Sequence, residues 1–412
     1  MRFKIVDRKT VDLSESPVHD GSDFQERFVD AQEKAQSVVV FDQGLRILPL
    51  VSDWLTEELS LKQTPPSTIS TYAKNISYFL DYLNERQSYK HLELDEAFLH
   101  IYPHDIQAYF TYLKNECNLS SNTIRNRDAT FQSFFNCYLC KPRRDGKSIR
   151  DDNPYTDGLL SMAAKSKVVE MCTLNELKAL LLCSHSERER AMIQFMYDTG
   201  VRRTEVTRVK KADIDKAFNS NKSTLIVDDK TVAYPSDYKA LNVAGVKGRK
   251  REVKPRFTLP SKATLARTRR YFSTPEYRKL TKKYGSDSHA FINSEGRPYT
   301  PSSIGKILHK LSGRAIKKGF LDRAIHPHML RHGFAGGLLR SPDLGDHSID
   351  KLVVLQQCLG HAKIATTQIY TAMPYDIYGQ YADNNGVILT RAALMERLAE
   401  STRMKVPLRG KK

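Results

Sequence analysis

Residues 359–370 read Leu-Gly-His-Ala-Lys-Ile-Ala-Thr-Thr-Gln-Ile-Tyr, and residues 326–332 read His-Pro-His-Met-Leu-Arg-His. In the first stretch Gly360 ends a helix, and Thr366 or Thr367 is placed to cap a short one carrying Tyr370. Taken singly, His361 is a satisfied polar group and Tyr370 a half-buried aromatic with its hydroxyl bonded. In the second stretch a helix after Pro327 puts His328 and Arg331 on one face and turns Met329 and Leu330 toward a core. His328 and His332 have the i, i+4 spacing of zinc-binding helices. However, no HExxH glutamate accompanies them and an arginine sits inside the cluster. A cation there repels a metal and suits a phosphate.

Upstream, Thr199-Gly-Val-Arg-Arg-Thr-Glu-Val206 has Gly200 ending one helix and Arg202 opening the next. Arg202 and Glu205, at i, i+3, share a face. By itself this pair is a surface ion pair of at most about half a kcal/mol. Residues 245–252, Gly-Val-Lys-Gly-Arg-Lys-Arg-Glu, lie between two strand-like runs and suit a hairpin with Gly248 in the turn. Such a charged turn is ordinarily just solvated.

The 412 residues leave room for two or three domains. A formal net charge of +18 favours a polyanionic partner, of which nucleic acid is the commonest. The basic residues are not confined to a tail; they recur at 141–150, 202–211, 247–256, 266–283 and 314–323. Six cysteines in a chain this long fit free thiols in a reducing compartment. Cys137 and Cys140 form a CxxC with no second pair at zinc spacing, inside an apolar run, so they read as core. The first residues show no apolar signal region, and no apolar run approaches the ~20 residues that span a bilayer.

Along the chain, residues 1–60 are mixed and read as an N-terminal extension of unknown role. Ile69, Tyr72, Ile76, Phe79, Leu80 and Leu83 predict a helix after Pro65-Pro66. A second helix fits His104 to Lys114. A third starts near Ser120, with Ile124, Phe131, Phe134, Phe135 and Tyr138 on one stripe and Arg125, Asn126 and Arg127 opposite. Residues 61–145 thus form a helical domain. Residues 146–167 are a linker, following the basic break that begins at Lys141. Residues 168–412 form a second domain, mainly α with a small antiparallel β-sheet. Its first helix is predicted to carry Leu174, Leu177, Leu180 and Leu181, capped by Thr173 with Glu176, and further helices are predicted at 187–198, 261–272, 302–318, 328–339, 350–359 and 389–402. Its strands are predicted at Thr224–Val227, Leu241–Val246 and Glu252–Leu259.

Each of these motifs has a bland reading; their ordered set resembles the tyrosine recombinase (phage integrase) family. The family pattern is T-G-x-R-x-x-E, a hairpin lysine in a G-K-G-like turn, H-x-L-R-H, L-G-H, and a tyrosine nine residues after that last histidine. Here the hairpin lysine stands in Val246-Lys247-Gly248, where the family usually has Gly-Lys-Gly. The resemblance is strong over roughly 168–375 and weaker over 64–140, which looks like the family's SAM-like core-binding domain.

The resemblance implies a two-domain, C-shaped DNA clamp and a site-specific recombinase that needs no cofactor and no metal. Tyr370 would attack a DNA phosphate and leave a 3′-phosphotyrosyl ester. Arg202 and Arg331 would meet the charge on the non-bridging oxygens with forked donors. Lys247, or Lys250 if the hairpin register slips, would protonate the 5′ leaving oxygen. His328 and His361 would hydrogen-bond the phosphate or move protons, and Glu205 would orient Arg202. Arg125, Arg127, Arg203, Arg249, Lys250 and His332 are candidate DNA contacts.

The expected partners are double-stranded DNA, three further copies in a tetramer on two duplexes, and accessory DNA-bending proteins or a partner recombinase. The expected place is the cytoplasm of a prokaryote, at the nucleoid. The N-terminal extension and the insert at 228–240 suggest a mobile element. The segment after Tyr370, with Leu389, Leu394 and Leu398, reads equally as a helix exchanged with a neighbour or an intramolecular cap. The alternatives are a type IB topoisomerase and a catalytically inactive DNA-binding relative.

Overall fold

The computed structural model describes residues 2–10, 34–92, 95–143, 146–162, 169–227, 230–247, 253–344, 348–371 and 386–404. The chain divides into two compact units between residues 166 and 167.

In the first unit β1 (Arg2–Thr10) pairs antiparallel with β2 (Lys34–Phe41). Helices α1 (Pro49–Ser60), α2 (Pro66–Asn84), α3 (Ala97–His100), α4 (Pro103–Asn115) and α5 (Ser121–Phe134) follow, and α5 continues into a π-turn over Phe135–Leu139. The predicted stripe on α2 is buried except for half-buried Tyr72, and Ile124, Phe131, Phe134, Phe135 and Tyr138 are buried too. Trp54 of α1 stacks on Tyr72 at 5.2 Å and tilts against Phe134 at 4.8 Å.

Val38, Val40, Val51, Trp54 and Leu55 therefore belong to the same core as α2 and α5, rather than to an extension ending at residue 60. The expected linker also starts inside this core. Tyr155 is buried there, and Arg150 donates to the carbonyls of Phe98 at 2.8 Å and Ile101 at 2.5 Å. A guanidinium can be buried in this way because main-chain oxygens replace its water.

The second unit is mainly helical. It contains α6 (Leu174–Cys183), α7 (Glu187–Thr199), α8 (Arg203–Val206) and α9 (Lys211–Asn219), then β3 (Thr224–Val227), β4 (Lys230–Ala233), β5 (Leu241–Lys247) and β6 (Val253–Thr258). It continues with α10 (Lys262–Phe272), α11 (Pro275–Thr281), α12 (Pro301–Lys317), α13 (Pro327–Arg340), α14 (Ser348–Leu359), α15 (Ala365–Gln368) and α16 (Arg391–Ser401). Its strands form two separate two-stranded antiparallel sheets, β3–β4 and β5–β6. The expected capping box on α6 is formed: Thr173 Oγ1 accepts from Glu176 N at 3.2 Å, and Thr173 N donates to Glu176 at 2.7 Å.

The core gathers Leu177, Leu180, Phe195, Met196, Leu265, Ile304, Leu308 and Leu330 around α7. α7 stops at Gly200 with φ +61°, where an added Cβ would meet the Phe334 ring at 2.4 Å. Only glycine fits both the conformation and the space.

Of the two arrangements open for the C-terminal helix, α16 here packs on its own chain through Met395 and Leu398. Arg391, almost wholly buried, donates to Asp198 Oδ1 at 2.5 Å and to the Asp198 carbonyl at 2.8 Å. The six cysteines are free, and among the described residues no group of three His, Cys, Asp or Glu could hold a metal. No helix among the described residues is long and apolar enough to cross a membrane.

Candidate active site

Arg331 stands one turn into α13, in a buried position, and braces two helix ends. It donates to the carbonyl of Gly200, past the end of α7, at 2.6 Å, and to that of Leu359, the end of α14, at 2.5 Å. The same guanidinium donates to His361 Nε2 at 3.3 Å. Arginine only donates, so Nε2 of His361 accepts, and its ring proton belongs on Nδ1, facing Thr367 Oγ1 at 3.0 Å. Thr367 is thus engaged with His361. No side chain caps α15, and Tyr370 lies in the turn after that helix rather than on it, its N–H donating to Thr367 O at 3.1 Å.

Glu205 is fully buried and is not the surface partner its spacing first suggests. Its oxygens accept from Arg202 Nη1 at 3.1 Å and from the Arg202 N–H at 2.7 Å. They also accept from Arg256 Nε at 3.2 Å and Nη2 at 2.7 Å. Arg256, on β6, escaped the sequence reading; it also donates to the Cys358 carbonyl at the end of α14. Burial alone would raise the Glu205 carboxyl, but Arg256 and then Arg202 hold it below its ordinary value.

The histidines surround the tyrosine. Tyr370 is 2% exposed, and its hydroxyl is hydrogen-bonded to His332 Nδ1 at 2.8 Å. His332 lies edge-on to His328, with ring centres 4.4 Å apart, and the His361 ring runs parallel to Tyr370 at 6.4 Å. His332, taken from the sequence as a DNA contact, faces the tyrosine.

Burial, with His328 and Arg331, pulls His332 down to about 4. Burial, with Arg331 and Arg202, does the same to His361. His328 is lowered by the same kinds of cause. Burial raises the Tyr370 phenol while Arg331 and Arg202 oppose the rise. Arg331 itself is lowered to about 9, by burial and then by Arg202 and Arg256, and stays cationic at neutral pH. The cluster therefore holds three guanidinium groups and neutral imidazoles against one carboxylate. Such uncompensated, part-buried positive charge favours an anion.

The remaining predicted residues are placed unevenly. Lys247 ends β5 opposite Val253, after a register shift from Ala244. Arg249 and Lys250 lie outside the described residues. Arg203 is exposed beside Arg202 and lines a groove of about 700 Å³ with Ser302, Lys306 and His309. In the first unit Arg127 donates to the Tyr109 hydroxyl at 2.5 Å and lies over the Tyr78 ring, and Arg125 donates to the Ser161 carbonyl at 2.9 Å. Neither is a free surface charge.

Residues 170–376 match the phage integrase family, and residues 53–144 match the phage integrase N-terminal SAM-like domain. The chain belongs to the phage integrase family. Among curated relatives of this integrase-family chain, the tyrosine recombinase XerC of Lacticaseibacillus casei (strain BL23) is 28% identical over 313 residues, covering 75% of this chain and 89% of the relative. The tyrosine recombinase XerD of Listeria innocua is 26% identical over 341 residues, covering 81% and 98%.

Two solved structures share the fold. The Tn1549 transposon integrase in complex with transposon right end DNA has a TM-score of 0.53 at 16% identity, covering 79% of this chain and 96% of that one. The XerH site-specific recombinase bound to palindromic difH substrate has a TM-score of 0.51 at 20% identity, covering 75% and 77%.

Proposed function

We propose that this chain is a site-specific DNA recombinase that cleaves and rejoins duplex DNA through a Tyr370-linked 3′-phosphotyrosyl intermediate. The observation that carries the reading is the cationic excess of Arg202, Arg256 and Arg331 around one carboxylate, with the Tyr370 hydroxyl among the same histidines. Family membership supports the recombinase activity.

A phosphodiester repels nucleophiles, and its transition state gathers charge on the non-bridging oxygens. Arg202 and Arg331 answer that charge with guanidinium groups whose positions are already set by Glu205 and by two carbonyls. Lys247 delivers the proton to the 5′ oxygen, with Lys250 the alternative. His328 and His361 bond the phosphate. For His361 to donate from Nε2, Arg331 must turn its N–H from the ring to the phosphate and the ring must take its proton on that nitrogen. Glu205 is a positioning residue. The ester conserves the energy of the broken bond, so a 5′ hydroxyl from a second duplex can reseal it without ATP.

In this reading duplex DNA is held by phosphate contacts from Arg203 and Arg249, and from Arg125 and Arg127 once they leave the Ser161 carbonyl and the Tyr109 hydroxyl. Four copies on two duplexes carry out exchange, in a prokaryotic cytoplasm and on behalf of a mobile element.

The test uses duplexes selected by the protein from random-sequence DNA, incubated without metal or ATP and quenched with detergent. A covalent protein–DNA adduct lost in Tyr370→Phe, together with exchange between two marked duplexes, is the expected result. Relaxation of supercoils without exchange would make it a topoisomerase. Binding without any adduct would make it a DNA-binding relative.

A further inference from the structure

We propose that His332 Nδ1 accepts the Tyr370 proton as the phenol oxygen attacks phosphorus, making His332 a catalytic residue. This rests on Tyr370 being the nucleophile.

The geometry selects His332 among its neighbours. Its Nδ1 is hydrogen-bonded to the Tyr370 hydroxyl at 2.8 Å. His361 has both ring nitrogens committed, Nε2 to Arg331 and Nδ1 to Thr367, and its ring runs alongside the tyrosine instead of meeting the hydroxyl edge-on. The His328 ring meets His332 with centres 4.4 Å apart, whereas the hydroxyl's hydrogen bond is to His332.

The step balances. The Tyr370 O–H bond breaks and its proton goes to Nδ1, while Nε2 keeps the proton it already holds. The O–P bond forms, and the P–O5′ bond breaks with its electron pair leaving on the 5′ oxygen. That oxygen takes a separate proton from the general acid, Lys247 in the proposed function. In the resealing step His332, now an imidazolium, returns the proton to the departing phenolate.

The charged and titratable groups facing His332 are His328, Arg331, His361 and Tyr370. In the free protein burial, His328 and Arg331 disfavour a charged His332. A bound phosphate offsets the guanidinium field, so the ring becomes a competent acceptor only when a target is in place. This couples nucleophile activation to substrate binding and leaves an idle Tyr370 protonated.

The competing role is storage, in which His332 merely parks the hydroxyl. His332→Asn separates the two, because its amide oxygen can keep an acceptor near Nδ1 but takes no proton at neutral pH. Single-turnover cleavage of a nicked selected duplex is followed across pH for wild type, H332N and H332A, with affinity for the same duplex measured alongside.

Proton transfer predicts H332N and H332A slowed about 100-fold or more with affinity within about twofold, and rates climbing with pH as Tyr370 ionises unaided. H332A should gain rate from added imidazole. A duplex with sulfur at the 5′ bridging position, which relieves the need for an acid, should leave the H332N deficit in place. Cleavage by H332N at or above the wild-type rate with an unchanged pH profile would overturn the proposal, even with H332A too poorly folded to read. A wild-type adduct that survives Tyr370→Phe would instead sink the underlying reading of the nucleophile.

Discussion

Glu205 divides its buried carboxylate between Arg202 and Arg256, accepting four hydrogen bonds of 2.7–3.2 Å from them. Arg256 then reaches the Cys358 carbonyl, so a single carboxylate ties the loop after α7 to β6 and to the end of α14. The candidate phosphate clamp is therefore set by one anion belonging to the protein, and in the proposed function the DNA phosphate is the second.

Removing that carboxylate should unsettle both arginines. Glu205→Gln leaves two guanidinium groups facing a neutral amide in a buried setting, a change that typically costs about 3–5 kcal/mol. Urea unfolding should show a loss of this order, and DNA cleavage should fall with it. A loss below about 1 kcal/mol would mean the arginines are held by other groups.

Gly360 should resist a methyl group more than an open glycine does. Its φ is +64°, and an added Cβ would meet Arg256 Cδ at 2.7 Å. That side chain has little freedom to yield, being held by Glu205 and the Cys358 carbonyl. Gly319, with φ +70° and nothing within 4 Å, is the control for backbone strain alone. Gly319→Ala should cost about 1 kcal/mol, and Gly360→Ala about 2–3 kcal/mol with a further loss of cleavage. Equal costs would show that Arg256 moves aside freely.

The free protein should weaken as pH falls through the weakly acidic range. His332 and His361 have folded values of about 4, below the ordinary 6.5. Between those values the unfolded chain binds protons that the native state refuses, so stability drops as pH drops. Glu205 adds a loss in the same direction at lower pH, below its ordinary value of 4.5. Because both rings keep some solvent contact, we expect on the order of 1–2 kcal/mol from each histidine. Urea midpoints at pH 7 and pH 5 test this. A His361→Asn variant should show a smaller drop, and a flat profile in the wild type would contradict it.

The C-terminal helix should loosen when Arg391 is lost. Asp198 is wholly buried, takes the Arg391 guanidinium at 2.5 Å, and accepts the Ser261 N–H and hydroxyl at 2.7 Å each. Arg391→Met strands that carboxylate and should cost about 3–5 kcal/mol, with faster proteolysis near residues 386–390. Adding Asp198→Asn should recover much of the loss. No recovery would assign the defect to packing.

Local signals carried much of the architecture. Thr173 with Glu176, the stop at Gly200 and the α2 and α5 stripes needed only spacing to be read. The tertiary pairings were not legible. Arg256 lies on the predicted strand at the end of the basic run 247–256, with nothing local to single it out, and its partner Glu205 is 51 residues away in sequence. A clue was present: strand alternation puts Arg256 on the same face as Thr258, whose hydroxyl donates to the Thr199 carbonyl beside the Arg202 loop. His332 looked like an outward base because its partner, Tyr370, is 38 residues on. α1 passed unnoticed because Leu48 gives it no side-chain cap, although Pro49 opens it and Trp54 anchors it. Thr367 looked like a cap because a threonine near a helix start usually is one; its hydroxyl is taken by His361.

The central claim is the identity of the nucleophile, and mapping the DNA-linked peptide tests it most directly. Trypsin cutting after Lys363 and Arg391 releases residues 364–391, which contain Tyr370, Tyr375, Tyr378 and Tyr381. After nuclease trimming of the adduct, fragmentation of this peptide should place the nucleotide remnant on Tyr370, attached through a 3′ phosphate. A remnant on Tyr375, Tyr378 or Tyr381, or a 5′ linkage, would contradict the account.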